Sequence, residues 1–101
     1  MKKRFMVVIN RATPENERSI TDLFSNKGLG WWHWLKNIWL ISDPNGTLSA
    51  TAVRDSISQI LPATHSLVIE IDNNGVDTWA ARGTNAEQMF SWLHKNWTKS
   101  S

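Results

Sequence analysis

The chain contains no cysteine, no long apolar run and no strong excess of either charge, and each absence excludes something. Without cysteine there is no disulfide framework, zinc-thiolate site or thiol nucleophile, and no sign of an oxidising compartment. The apolar run Phe5 to Ile9 is too short for a signal-peptide core or a membrane span, so a soluble cytoplasmic protein with no membrane partner is expected. Eleven basic against nine acidic side chains leave a net charge of +2, which permits a polyanionic partner without demanding one. Lys2, Lys3 and Arg4 read as a short solvating cluster. Internal repeats and linkers are also missing, and 101 residues suffice for one modest core, so residues 1–101 form a single domain.

What the chain does have is tryptophan. Four of its seven indoles fall between Trp31 and Trp39, in the segment Gly30-Trp31-Trp32-His33-Trp34-Leu35-Lys36-Asn37-Ile38-Trp39-Leu40-Ile41. Indoles bury large areas and want a partner for the N–H, so such a cluster marks an interface or a stacking surface.

Phe5 to Ile9 is continuously apolar and reads as a central strand buried on both faces. Thr13 then caps a helix opened by Pro14, with Glu15 and Glu17 at its positive end, and Ile20, Leu23 and Phe24 form the apolar stripe before Lys27-Gly28. Gly28 to Ile41 reads as a hairpin about Lys36-Asn37, and Asp43-Pro44-Asn45-Gly46 as a turn. Ser49 or Thr47 caps a second helix carrying Val53, Ile57, Ile60 and Leu61, which ends before Pro62. Leu67 to Ile71 alternates as a half-buried strand, with Leu67, Ile69 and Ile71 on one side. Asn73-Asn74-Gly75 turns into a short edge strand, Val76 to Ala81. Thr84 with Glu87 forms a capping box before a last helix that buries Ala86, Met89, Phe90, Leu93 and Trp97.

Strand, helix, strand, strand, helix, strand, with an added short strand and C-terminal helix, is an α+β ferredoxin-like order. It predicts an antiparallel sheet with helices on one face. A strict two-residue turn at Lys36-Asn37 pairs Leu35 with Ile38 and Trp34 with Trp39. It places Trp32, Trp34, Trp39 and Ile41 on one face and Trp31, His33, Leu35, Ile38 and Leu40 on the other, although a one-residue slip would exchange them. Both faces are apolar, and only one can meet the helices. The other is expected to pack on a second protomer as a homodimer, or to offer indoles to bases or nucleotides.

Val7-Val8-Ile9-Asn10, the tryptophan-histidine hairpin, Ser49 to Ile57 with Val53-Arg54-Asp55 inside, and Leu67-Val68-Ile69-Glu70 together resemble the SinR-like proteins. These are standalone relatives of the small CRISPR-associated adaptation protein, distinct from the helix-turn-helix repressor of similar name. The resemblance covers roughly residues 5–80, and the hairpin is its most specific part. It implies a homodimer with stacked sheets that binds nucleic acid or nucleotide and, in some relatives, cleaves it with Mg²⁺ or Mn²⁺ held by an aspartate at the end of the first strand. This chain has Asn10 there. A neutral amide brings no charge to a hard cation. Glu15, Glu17 and Asp43 do not occupy the matching position, so a weak or inactive site with no cofactor is expected.

Asn10, Arg11 and Thr13 suit contact with a phosphate or base edge, and His33, Trp34 and Trp39 complete the expected ligand-binding set. His33, His65 and His94 have no metal-ligand spacing, and neither a nucleophile elbow nor a glycine-rich phosphate cradle is present. Two alternatives stand beside the binding protein. One is a metal-dependent endoribonuclease of the toxin kind. The other is a nucleotide second-messenger sponge or sensor using Arg11, Arg54 or Arg82 with the indoles.

Overall fold

A computed structural model describes residues 2–71 and 86–97. The elements are β1 (Lys3–Ile9), α1 (Pro14–Asn26), β2 (Gly30–Leu35), β3 (Ile38–Asp43), α2 (Ala50–Ile60), β4 (Ser66–Glu70) and α3 (Ala86–Trp92), the last running into a π-helical turn, Leu93–Trp97. The strands form one antiparallel sheet in the order β2-β3-β1-β4. α1 therefore carries the chain from β1 past β3 to β2, and α2 carries it from β3 past β1 to β4. This is the ferredoxin-like arrangement. None of the described helices is long and apolar enough to cross a membrane.

Local signals explain both long helices. Thr13 sits in extended backbone and its Oγ1 accepts the Asn16 N–H at 3.1 Å, with Pro14 in the first turn and Glu15 and Glu17 at the positive end of the dipole. The chain leaves α1 through Gly28, whose φ of 74° lies in the left-handed region that glycine adopts without strain. Of the two candidate caps for α2, Ser49 does the work, accepting the Ala52 N–H.

The main core lies between the helices and one face of the sheet. Phe5, Val7 and Ile9 from β1 and Trp39 and Ile41 from β3 pack with Ile20 and Phe24 of α1 and Val53 and Ile57 of α2. β1 is central, as expected, but only one of its faces is fully buried, since Met6 and Val8 are half-buried. In β4 it is Val68 that packs on this core. Leu67 and Ile69 point away from it and are exposed, as is Ile60 at the end of α2.

The second face is partly covered by the C-terminal segment. Leu93 and Trp97 are buried against Trp32, with Leu40, Ile71 and Trp92 around them. Arg4, on the same face of β1, is fully buried, donates from Nη1 to the Trp97 carbonyl at 3.1 Å and sits 5.3 Å from the centre of the Trp97 ring. Gly30 allows the close approach of β2 to these layers. A Cβ there would lie 2.6 Å from Ser42 Oγ and 3.5 Å from the Trp92 ring.

The hairpin corrects the simple alternation. Leu35 does pair with Ile38, but Trp32 pairs with Leu40 and Trp31 with Ile41, so a bulge lies between Trp32 and Leu35. Neither Lys36 nor Asn37 has the positive φ that a primed two-residue turn requires. Unprimed turns splay right-twisted strands, and an extra residue restores the pairing. Trp31, His33, Trp39 and Ile41 consequently share the helix side, while Trp32 and Leu40 face the C-terminal segment. The expected turn at 73–75, the strand Val76 to Ala81, Arg82, the Thr84 cap and the side chains of Ala86, Met89 and Phe90 lie outside the described residues.

Candidate functional site

Three chain connections meet where β1 ends. The Ile9 N–H donates to the Asn37 carbonyl at 2.8 Å and the Asn10 N–H to the His65 carbonyl at 3.0 Å. The Asn37 side chain reaches back the other way, its Oδ1 accepting the Ala12 N–H at 3.1 Å. The tip of the β2–β3 hairpin is thereby tied to the β1–α1 loop by its backbone and its side chain. Between these two ties Arg11 takes φ 54°, an uncommon conformation for a non-glycine residue that the flanking hydrogen bonds hold in place.

The resulting surface is a shallow depression of about 350 Å³. Its walls differ in character. Asn10, Asn37, His65 and Ser66 present amides, an imidazole and a hydroxyl, while Val8 and Leu67 present hydrocarbon. Segments 10–13, 36–37 and 61–65 contain Arg11, Lys36 and His65, all exposed, and no carboxylate. The side chains of Asn10, Arg11, Lys36 and His65 make no hydrogen bond within the described residues. An anion arriving at the depression would meet amide donors and an imidazole, with Arg11 and Lys36 in the adjoining connections.

The six residues singled out from the sequence separate here. Asn10 lines the depression and Arg11 follows it. Thr13 is nearby in sequence, but its hydroxyl is committed to capping α1. Trp39 is fully buried, its Nε1–H donating to Thr21 Oγ1 at 3.3 Å, so it has no face for a ligand. His33 lies flat on it, and its two nitrogens face the Ile38 carbonyl at 2.9 Å and Glu17 Oε1 at 2.7 Å. Both partners are acceptors, so the ring is held between the hairpin and α1. Trp34 is 39 % exposed. Sequence reasoning did not assign Asn37, His65 and Ser66 to the site. Asn37 was visible only as a turn residue, and nothing local to the α2–β4 connection signals that His65 will lie beside Asn10.

The donor set does not fit the divalent metal that the SinR-like resemblance implies. At the end of β1 it consists of amide, imidazole and hydroxyl groups, whereas a hard cation is normally held by carboxylates. Glu17 is engaged with His33. Asp43 is buried at the far end of β3, where its two carboxylate oxygens accept the Asn45 and Leu48 N–H groups. Arg54, a candidate for nucleotide contact, lies on α2 and pairs with Asp55 at 2.9 Å. Among the described residues no three His, Asp or Glu side chains converge as metal ligands. No family model, curated protein or solved structure matches the chain.

Proposed function

We propose that the chain is a binding protein for nucleic acid or nucleotide that holds its ligand at the end of β1 without turning it over. The observation that carries this reading is the depression rimmed by Asn10, Asn37 and His65, with Arg11 and Lys36 exposed in the connections that form it and no carboxylate in those connections. Cations fix a phosphate, and the Asn10 amide with the remaining donor of Asn37 suits a base or sugar edge. Asn10, at the position where the SinR-like proteins carry their metal-binding acid, supports binding without hydrolysis.

Size favours a second form of the same reading. A depression of about 350 Å³ has room for one nucleotide, which keeps a nucleotide-sequestering role beside polynucleotide binding. Labelled RNA and DNA titrated with and without Mg²⁺ or Mn²⁺ separate these from the endoribonuclease alternative. The expected result is metal-independent binding with intact ligand. Cleavage that disappears with chelator would replace this proposal with a metal-dependent nuclease. A small nucleotide that raises the melting temperature where no polynucleotide binds would favour the sponge.

A further inference from the structure

The two unlike walls of the depression say more about the ligand than its charge does. Leu67 is 55 % exposed and, with Val8, gives the hollow a hydrocarbon floor beside the polar rim. A phosphate gains nothing from such a floor, because only apolar surface benefits from leaving water there. A planar heterocycle uses both walls, one face lying on Leu67 and Val8 and its edge meeting the rim. The rim is also chemically graded. Asn37 has its Oδ1 occupied by the Ala12 N–H and is left as a donor, Asn10 can both donate and accept, and His65 adds an imidazole that can stack or hydrogen-bond.

We infer that the depression takes one unstacked nucleobase, with Asn10 and His65 contacting it, so that the chain prefers single-stranded to duplex nucleic acid. This rests on the nucleic-acid reading above. Bases in a duplex have their faces stacked and their pairing edges engaged, and offering one to a hollow requires flipping it out. Single strands splay bases readily, and recognition of unstacked bases characteristically combines a stacking or apolar surface with contacts to the base edge. Arg11 and Lys36 then meet the flanking phosphates.

The test compares a short labelled single strand with a hairpin duplex of the same composition, by fluorescence anisotropy at one salt concentration. The single strand is expected to bind at least about tenfold more tightly. Asn10→Ala and His65→Ala should each weaken it by about tenfold and weaken duplex binding by clearly less. Leu67→Glu, which puts a carboxylate on the floor, should do the same, and because all three residues are exposed the variants are expected to keep the wild-type melting temperature. Equal affinity for both forms would overturn the base-docking inference and leave the polyanion reading standing. So would single-strand binding untouched in all three variants. Binding of neither form would overturn both.

Discussion

His33 lies flat against Trp39, with ring centroids 3.7 Å apart and planes 2° from parallel. The imidazole closes the hydrophobic core at the edge of the sheet and reaches Glu17 in the first turn of α1. A residue that looked like part of a ligand surface thus joins helix to hairpin. His33→Ala removes the stack and two hydrogen bonds at a half-buried site, and should cost about 2 kcal/mol in urea unfolding. Glu17→Gln, which keeps an acceptor for the ring, should cost clearly less. Equal losses would mean that the charge of Glu17, and not the stacking, dominates.

Asn37 has a different task, holding the β1–α1 loop through the Ala12 N–H. Asn37→Ala leaves that donor without its partner and should lower stability by about 1 kcal/mol. It should also weaken ligand binding, because Asn10 and Arg11 lie in the loop it holds. Asn37→Asp keeps the acceptor and should restore the stability but not the rim donor. Affinity in this variant, measured beside its melting temperature, separates positioning from contact.

The approach of β2 to β3 at Gly30 leaves no room for a methyl group, with Ser42 Oγ 2.6 Å from where a Cβ would stand. Gly30→Ala should destabilise by about 1 to 3 kcal/mol. Combining it with Ser42→Gly, which removes the obstructing hydroxyl, should recover part of the loss. A double mutant no better than the sum of the single changes would show that the Trp92 ring, 3.5 Å from the same point, sets the limit.

Trp97 and Leu93 cover the half of the second sheet face around Trp32, and leave open the part formed by Met6, Val8, Ile38, Leu67 and Ile69. By strand and side-chain spacing the open part spans on the order of 200 Å², against about 800 Å² per partner in a stable interface. With α3 in place the chain should run as a monomer at low micromolar concentration in light scattering. Trp97→Ala should cost about 3 kcal/mol and raise the tendency to associate, by exposing Trp32 and Leu40. A wild-type dimer at that concentration would mean that the second protomer expected from the apolar hairpin finds a larger surface than the one left open.

The parts legible in the sequence were those whose cause is local. Thr13-Pro14 and Ser49 opened helices because cap chemistry needs only the next few residues, and Gly28 closed one for the same reason. The ferredoxin-like order followed from the alternation of periods along the chain. Face assignment in the hairpin did not follow, since one bulged residue transfers every neighbour to the other side, and the cause lies in turn dihedrals that Lys36-Asn37 does not advertise. Trp39 went to the core in company with His33 for that reason. At the candidate site Asn10 and Arg11 could be found from their place after β1. His65 could not, because the sheet order brings it there from a distant part of the chain.

The central claim is that ligand is held where β1 ends, and backbone amide shifts on titration with a short single-stranded oligonucleotide test it most directly. The account predicts that the amides of Asn10, Arg11, Asn37, His65 and Ser66 move together and saturably, while those of Trp92 and Lys95 on the C-terminal segment stay in place. Shifts centred on the C-terminal segment, or none at the end of β1 at saturating ligand, would contradict it.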